Sequence, residues 1–395
     1  MRVLLVSKWF WEEHRRFGAG FLREEVDALV KKGIDLVILS QSPDAGLEPE
    51  RRELDGLQVW LTSREKKRPM VSLVDKLIKF WAGHRKAWTD ALAVRSILQT
   101  QAPFDVVWAQ TEEPDGLVCR FAQLLGAMPP LFTQIYALRY QLTENGFQFQ
   151  RIAPLKWVFQ KSARIGANSE ATAQWMTQHY AAPTERIRIH KPHLTRPFLE
   201  SLSSLSSEPN GTRLLFLGAL NRKKGPDVFL KAAAILAPRF PSWKFIMVGG
   251  ETEKDDAFKK ELTRLGEVPE LIHRVEWLGK ITAAQVKKEI LQAVLVICPS
   301  RIEEFSRTTI EALALGRPVI LTSTTGAATW IQETGAGSVV PPGDPEALAD
   351  AMADWMEHGK ALSPHLSEMI LQEFSAEKAA DTLIADFKEL TGRKA

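Results

Sequence analysis

The chain has 395 residues, 45% of them hydrophobic and 25% charged, which excludes a disordered, collagen-like or coiled-coil protein and suggests two or three domains. Two cysteines exclude a disulfide framework or a cysteine-rich zinc site and fit a cytoplasmic protein. The net charge of +3 divides into +6 over residues 1–200 and −3 over the rest. This asymmetry is either scatter or a sign that the first half meets an anionic membrane or glycan, and no nucleic-acid module accompanies it.

The N-terminal apolar run, residues 3–6, is too short for a signal-peptide core. No window holds about 18 consecutive apolar residues, so we expect no spanning helix and only peripheral contact with a membrane.

Short apolar runs alternate with amphipathic stretches, which predicts an α/β protein with doubly wound parallel sheets. The predicted strands cover residues 3–6, 35–39, 57–61, 105–109, 130–135, 163–167, 213–217, 244–248, 274–278, 294–298 and 318–322. A serine-rich linker at residues 201–211 predicts domains at 1–200 and 201–374, facing a central cleft. The amphipathic tail, about residues 375–395, predicts a helix with a face free to pack back on the first domain.

The first motif is F-G-A-G-F at residues 17–21, which opens a helix predicted to run to about Lys32. Gly18 and Gly20 would let a ligand approach the backbone there. No third glycine completes a dinucleotide fingerprint, and a plain helix-capping turn explains the motif as well.

A basic stretch follows at residues 64–95, with nine Lys and Arg against three acids. Apolar residues recur there at helical spacing, namely Val74, Leu77, Ile78, Trp81, Trp88 and Leu92. This pattern predicts an amphipathic helix that either lies on anionic lipid or packs its tryptophans into the domain core.

The second motif is G-A-L-N-R-K-K-G at residues 218–225, between a predicted strand and a predicted helix. Its consecutive cations, Arg222, Lys223 and Lys224, suit a diphosphate, and glycines at both ends allow close backbone approach. An exposed basic turn is the alternative.

The third motif covers residues 298–316, where a strand ends and a helix is predicted to begin near Ser306, a good N-cap residue type. The free N–H groups of such a helix start form an anion site. Glu303 and Glu311 flank it and could hold sugar hydroxyls, unless both are solvated surface acids.

Other catalytic patterns are missing from the sequence, including the P-loop, H-E-x-x-H, G-x-S-x-G and a D-x-D triplet after a strand. We therefore expect no metal site and no cofactor.

Taken together, these motifs resemble the retaining GT-B glycosyltransferases, specifically glycosyltransferase family four. Residues 303–320 are similar to that family's E-x(7)-E signature with its small-residue helix, and Gly218 to Gly225 to its basic glycine loop. The resemblance implies two Rossmann-like domains, and it is strong in the second half of the chain and thin in the first.

The resemblance also implies roles for individual residues. Glu311 would bind the donor ribose, and Glu303 the transferred sugar. The catalytic residues would be Glu303, Arg222 and Lys224. The other donor-binding residues would be Gly18, Gly20, Gly218, Lys223, Gly279, Lys280, Ile281, Phe305, Ser306, Arg307 and Thr308.

The chain departs from the family pattern in several places. Glu304 and Ser306 stand where glycine is usual, and Ala219 where arginine is common. No histidine follows the fifth strand near Gln134–Tyr136, which puts the contact to the donor sugar in question.

The resemblance implies a retaining, metal-independent hexosyltransferase that uses a UDP- or GDP-type nucleotide sugar. The acceptor would be a glycan, a lipid-linked or a small molecule, in cell-surface polysaccharide or glycoconjugate biosynthesis. The alternatives are a nucleotide-sugar epimerase of similar fold and a non-catalytic nucleotide-sugar-binding subunit.

Overall fold

The computed structural model describes residues 1–8, 10–11, 20–45, 49–63, 74–101, 103–138, 140–143, 146–149, 152–200, 211–251, 255–359 and 362–393. The chain divides into two compact units. Unit 1 comprises Met1–Gln141, Gln148–Lys191 and Ala376–Ala395, and unit 2 comprises Leu142–Phe147 and Pro192–Ser375. The main division therefore falls at Lys191, and the chain returns to unit 1 for its last helix. The linker predicted at residues 201–211 lies, up to residue 210, outside the described residues.

Unit 1 is built on an eight-stranded sheet in the order β10-β9-β6-β5-β1-β2-β4-β3. Its strands are β1 (Arg2–Val6), β2 (Asp35–Ser42), β3 (Glu50–Leu54), β4 (Leu57–Ser63), β5 (Val106–Ala109), β6 (Leu131–Ile135), β9 (Arg164–Ala167) and β10 (Ile187–Ile189), with β7 (Tyr140–Thr143) and β8 (Gly146–Phe149) forming a separate two-stranded sheet. Only β3 is antiparallel to its neighbour in the eight-stranded sheet, and it is the charged edge strand. A charged edge discourages pairing with other chains.

The helices that accompany this sheet are α1 (Phe21–Lys31), α2 (Val74–Thr100), α3 (Leu117–Leu124), α4 (Ile152–Phe159) and α5 (Glu170–Tyr180), with a π-helical turn at Glu112–Gly116 and a 3-10 turn at Thr184–Arg186. The C-terminal helix, α14 (Ala376–Leu390), packs on this same unit. Phe387 contacts the rings of Trp108 and Phe132 at 6.1 and 5.6 Å. The carboxylate of Asp386, also on α14, accepts a hydrogen bond from His190 Nε2 at 2.7 Å, so the last helix completes the core of unit 1.

Unit 2 has a six-stranded, wholly parallel sheet in the order β13-β12-β11-β14-β15-β16. Its strands are β11 (Arg213–Leu217), β12 (Lys244–Val248), β13 (Val275–Gly279), β14 (Leu295–Cys298), β15 (Val319–Thr322) and β16 (Gly337–Val340). Its helices are α6 (Arg196–Glu200), α7 (Pro226–Leu236), α8 (Asp256–Gly266), α9 (Ala283–Gln292), α10 (Arg307–Ala314), α11 (Ala328–Thr334), α12 (Pro345–His358) and α13 (Pro364–Glu373). Apolar clusters cover both faces of the sheet, as its uninterrupted apolar strands require.

All eleven predicted strands are present, and the predicted α/β class with two parallel-sheet units is confirmed. Five strands were not predicted: the charged β3, the hairpin β7 and β8, and the short β10 and β16. Within the described part of the chain, no helix combines the length and the apolar character needed to cross a bilayer.

Candidate functional site

The basic loop, residues 218–225, lies between β11 and α7. Only glycine fits at the last position of this loop. Gly225 has φ +68°, and a Cβ there would lie 2.2 Å from the carbonyl oxygen of Pro299. The backbone N–H of Arg301 donates to the Lys223 carbonyl at 2.7 Å. The basic loop is therefore held against the segment 299–306 that follows β14, which we call the glutamate loop.

Two lysines of the basic loop pair with two carboxylates of the glutamate loop. Lys223 Nζ lies 3.1 Å from Glu304 Oε2, and Lys224 Nζ contacts Glu303 Oε2. The carboxylate side chains are 7% and 13% exposed for Glu304 and Glu303, against 29% and 28% for Lys223 and Lys224. The structure thus brings together the lysines and Glu303 as the sequence predicted, and adds Glu304.

Glu303 is fixed through its backbone. Its N–H donates to the Thr324 carbonyl at 3.2 Å, and its carbonyl accepts from Gly326 N–H at 2.9 Å. The glutamate loop is therefore tied on one side to the basic loop and on the other to the loop after β15.

Arg222 turns away from the two lysines. Its guanidinium lies 3.0 Å from Asp255 and 3.7 Å from Glu261, and it stacks over the Phe258 ring at 4.4 Å from the ring centroid. All three partners belong to α8 or its N-cap. The structure therefore does not bring Arg222 together with Lys223 and Lys224.

Arg301 and Asp227 form a bidentate ion pair that the sequence analysis missed. The two guanidinium nitrogens donate to the Asp227 carboxylate at 2.9 and 2.7 Å, and Nη1 also donates to the Arg222 carbonyl at 2.8 Å. Burial raises the pKa of Asp227, but the hydrogen bonds and charge of Arg301 outweigh it, so this pKa lies below its usual value. The pair clamps the start of α7 to the glutamate loop.

Ser306 is the N-cap residue of α10, but its side chain does not cap the helix. Its backbone has φ +78° and ψ 89°, whereas a capping side chain needs extended backbone. Its hydroxyl instead accepts a hydrogen bond from Thr309 Oγ1 at 2.9 Å. The helix start is at the predicted place, and the interpretation of Ser306 as a side-chain cap is wrong.

The neighbours of Ser306 take different environments. Phe305 is buried against Phe374, with ring centroids 5.7 Å apart, while Arg307 is exposed and Thr308 half-buried. Glu311, in the second turn of α10, is half-buried. Burial raises the pKa of its carboxyl above the usual value, and the charge of Arg307 opposes that rise.

The basic loop and two further loops meet at the carboxyl ends of β11, β12 and β13. Gly218 N–H donates to the Val248 carbonyl, and Gly249 N–H to the Gly279 carbonyl, each at 3.0 Å. Lys280 is exposed, and Ile281 packs partly into the core. Gly279 is the last residue of β13, and Gly218, Lys280 and Ile281 follow strands. All four lie at the same sheet edge as the lysines, where ligands bind in open α/β sheets.

In unit 1, the predicted residues are described only in part. Gly18 lies outside the described residues, while Gly20 is the buried N-cap residue of α1. At the position where the resemblance would place a histidine, Gln134 is buried, and neither of its amide atoms has a hydrogen-bond partner among the described residues. Tyr136 nearby in sequence donates its hydroxyl proton to Glu25 at 2.8 Å.

The predicted amphipathic helix exists as α2, but residues 64–73 and the side chains of residues 74–86 lie outside the described part. Ala87, Ala91 and Val94 are buried in the described part of α2. Trp88 and Leu92 are 41% and 50% exposed, although the Trp88 ring contacts Phe121 at 5.6 Å. These two apolar side chains therefore remain open to solvent.

Comparison with curated proteins finds partial relatives among sugar transferases. A D-inositol 3-phosphate glycosyltransferase of Paenarthrobacter aurescens is 31% identical over 49% of this chain and 48% of its own length. The alpha-D-kanosaminyltransferase of Streptomyces kanamyceticus is 24% identical over 68% of this chain and 72% of its own. The chain spans about half the length of the first of these relatives.

Solved structures of similar fold match the whole chain. Sucrose-phosphate synthase from Thermosynechococcus elongatus superposes with a TM-score of 0.71 at 17% identity, covering 99% of both chains. Anabaena HepE, crystallised with UDP-glucose, gives a TM-score of 0.65 at 17% identity, covering 98% of this chain and all of that one. At such identities the likeness shows a shared fold, the GT-B architecture.

Two family models divide the chain between them. The model for Glycosyl transferases group 1 matches residues 200–369, and the model for Glycosyltransferase Family 4 matches residues 19–191. The first covers the basic loop, the glutamate loop and α10. These matches, together with the fold, show that the chain belongs to the family-4-like glycosyltransferases of GT-B architecture.

Proposed function

We propose that this protein is a hexosyltransferase that takes its sugar from a nucleotide-diphosphate sugar, with UDP or GDP as the nucleotide. The observation that carries the proposal is the placement of Lys223 and Lys224 against the glutamate loop, directly before the first turn of α10. Cations and a helix N-terminus together suit the diphosphate of such a donor.

The chemistry that this arrangement supports is departure of the diphosphate. Breaking the bond between sugar and phosphate builds negative charge on the leaving oxygen, and preorganised positive groups lower that barrier. Lys224, Lys223 and the backbone of residues 305–308 would supply them, with Arg222 joining only if it leaves its partners on α8. Glu311 would accept from the ribose hydroxyls, Glu303 from the transferred sugar, and residues 279–281 would contact the base.

We further propose that the reaction retains the anomeric configuration and needs no metal ion. Support comes from the sequence, which has no D-x-D triplet and no apparent protein nucleophile. Attack from the same face as departure is then the simplest course. The anomeric configuration of the product, read by NMR, and activity in the presence of a chelator test these two points.

We propose that the acceptor of the sugar is a glycan, a lipid-linked molecule or a small molecule, and that the reaction belongs to the biosynthesis of a cell-surface polysaccharide or glycoconjugate. We also propose that the protein contacts anionic membrane peripherally through α2. The exposed Trp88 and Leu92 support the membrane contact, since amphipathic helices insert such side chains at the lipid interface. Co-sedimentation with phosphatidylglycerol vesicles should be strong at low salt, weak at high salt and absent with phosphatidylcholine. A protein that stays in the supernatant at low salt contradicts the membrane contact.

The central experiment incubates the protein with a panel of UDP- and GDP-sugars and measures release of free nucleotide. A transferase releases nucleotide because water takes the sugar in place of the acceptor, an epimerase changes the sugar without release, and a non-catalytic binder does neither. Lys224→Ala should weaken binding of the nucleoside diphosphate about 10- to 100-fold while binding of the free nucleoside is unchanged. Equal weakening of both ligands would show that Lys224 is structural.

A further inference from the structure

Unit 2 contains a cavity of about 420 Å³ that the donor chemistry described above does not use. Residues of α8 form one side of it, and Trp277 of β13 together with Leu220 and Asn221 of the basic loop borders the rest. Pockets that hold small molecules have volumes of roughly 300–1,000 Å³. The cavity is therefore large enough for a small ligand of its own.

The wall of the cavity is apolar and includes a large aromatic side chain that is open to solvent. Phe258 and Leu262 of α8 are buried, whereas Trp277 is 43% exposed. Gly266, the last residue of α8, lets the indole lie against the helix, because a Cβ added there would be 3.1 Å from the ring atom Cζ2. Trp277 thus offers the cavity an aromatic surface whose position the helix sets.

The rim of the cavity carries an excess of negative charge. Among the described residues that line it, one lysine, Lys259, is opposed by four carboxylates, namely Glu251, Asp255, Asp256 and Glu267. Lys259 pairs with Glu251 at 2.8 Å, and Asp255 pairs with Arg222 at 3.0 Å. Asp256 and Glu267 are exposed and form no ion pair with any residue that the structure describes. The rim therefore keeps negative charge after its internal pairs are formed.

These features come together at the C-terminal end of α8. Glu267 is the C-cap residue of this helix and directly follows Gly266, against which Trp277 lies. A helix C-terminus carries partial negative charge, and the face of an indole ring attracts cations. A cation with an apolar body complements the carboxylate, the helix end and the ring, whereas the acidic rim repels the phosphates of a nucleotide.

We propose that this cavity binds a small organic cation, with its ammonium group beside Glu267 and Trp277 and its apolar body against Phe258 and Leu262. The inference goes beyond the proposed function, because the ligand has a charge opposite to that of the nucleotide sugar. The site also lies outside the lysine and carboxylate pairs of the basic and glutamate loops.

Three indole probes of similar size and different charge test the proposal in NMR titrations. Tryptamine is a cation, tryptophol is neutral and indole-3-acetate is an anion. Tryptamine should bind with a Kd of about 1 mM or lower, and tryptophol about three- to tenfold more weakly. Indole-3-acetate should not bind measurably. Failure of tryptamine to bind, equal binding of tryptophol, or a preference for the anion would overturn the proposal.

Variants of the wall and the rim locate the bound cation. Glu267→Gln removes charge alone, so it should weaken tryptamine about threefold and leave tryptophol unchanged. Trp277→Leu should weaken both probes, and Gly266→Ala, which displaces the indole, replaces it if thermal melting shows that Trp277→Leu does not fold. Glu333→Gln, which removes one exposed charge from α11, is the control and should change neither affinity.

Competition with uridine and guanosine separates this cavity from the contact to the donor base. Neither nucleoside should displace tryptamine, and displacement by either would assign the cavity to the donor and overturn the proposal. Unchanged affinity for tryptamine in both Glu267→Gln and Trp277→Leu would overturn it as well, because the cation would then bind elsewhere. Absence of nucleotide binding would contradict the proposed function alone, since tryptamine is titrated without nucleotide.

Discussion

The carboxyl ends of the parallel strands carry different polar chemistry in the two units. In unit 2, Lys223 and Lys224 stand in partly exposed ion pairs. In unit 1, a group of buried polar side chains is hydrogen-bonded within the protein: the Ser7 hydroxyl contacts Gln110, and Asp115 accepts from the Lys8 N–H and the Thr111 hydroxyl, each at 2.9 Å. The lysines in unit 2 are partly open to solvent, whereas this group of polar side chains in unit 1 is enclosed by the protein.

One carboxyl from each unit shows what this difference does to ionisation. Asp227 in unit 2 is buried, but Arg301 keeps its pKa below the usual value. Asp115 in unit 1 is equally buried, and its hydrogen bonds from Lys8 and Thr111 do not offset that burial, which raises its pKa to about 7. Burial alone therefore does not decide the charge of a carboxyl in this protein, and a contacting guanidinium does.

The largest expected effect concerns Asp115. Because its folded pKa is raised, the unfolded chain gives up the proton first, and stability falls as the pH rises from about 4 to about 7. The loss amounts to about 4 kcal/mol above pH 7. Asp115→Asn cannot ionise, so its free energy of unfolding relative to wild type should rise by up to that amount between pH 4.5 and pH 8.

Urea unfolding of both proteins at the two pH values, monitored by a probe in unit 1, measures this difference in the free energy of unfolding. Asp35→Asn, which removes a carboxyl that is 64% exposed, is the control for the loss of an acid from the same unit. A constant difference between Asp115→Asn and wild type would mean that Asp115 has the same pKa in the folded and the unfolded chain, contrary to the prediction.

The second prediction concerns how closely the loops of unit 2 approach each other. Gly225→Ala combines a left-handed backbone with a Cβ 2.2 Å from the Pro299 carbonyl oxygen, and should cost about 3 kcal/mol. Gly33→Ala in unit 1 has a similar φ of +82° but no atom within 4 Å of the added Cβ, and should cost only about 1 kcal/mol. Thermal unfolding of the two variants gives the comparison, and equal costs would show that the loop approach carries no strain.

The third prediction uses the raised pKa of Glu311. Protonated Glu311 is a weaker acceptor for ribose hydroxyls, so affinity for UDP or GDP should increase as the pH rises through that pKa. Glu311→Gln should bind about 10- to 100-fold more weakly at neutral pH and should lose this part of the pH dependence. The affinity of both proteins for the nucleotide is measured from pH 5 to pH 8. Because the phosphate ionises in the same way in both series, the difference between the two pH profiles reports Glu311 alone. If the affinities of wild type and Glu311→Gln change with pH in parallel, Glu311 does not bind the nucleotide.

Much of the fold could be predicted because uninterrupted apolar runs permit few structures other than buried parallel strands. The missed strands lack that signal: β3 reads E-R-R-E-L and is paired only at the sheet edge, and β10 has three residues. The amphipathic tail predicted α14 with a face free to pack back on the first domain, whereas the residues that this face contacts in unit 1 cannot be read from periodicity.

The candidate site was predictable where its residues directly follow strands that end at the same edge of the sheet. Lys223, Lys224 and Glu303 follow strands that end at one edge, so topology alone brings them near. The pair of Arg301 and Asp227 joins positions 74 residues apart, and the turn of Arg222 toward α8 depends on side-chain packing. Neither of these two side-chain arrangements can be predicted from the spacing of residues in the sequence.

The smallest expected effect separates two serines that occupy the same formal position. Ser169, the N-cap residue of α5 in unit 1, has extended backbone with φ −160° and accepts from the Thr172 N–H at 3.1 Å. Ser306 in unit 2 has φ +78° and makes no such bond. Serine therefore stabilises the helix start in unit 1 and strains the backbone in unit 2.

Substitution by glycine should consequently act in opposite directions. Ser169→Gly loses a cap hydrogen bond and adds backbone entropy to the unfolded chain, so it should destabilise by about 1 kcal/mol. Ser306→Gly relieves the left-handed strain and loses the hydroxyl contacts to Thr309 and to the Cys298 thiol, so it should stabilise by about 0.5–1 kcal/mol. Chemical unfolding resolves the two signs. If Ser306→Gly also destabilises, the hydroxyl contact to Thr309 outweighs the strain, and the start of α10 is held by side chains after all.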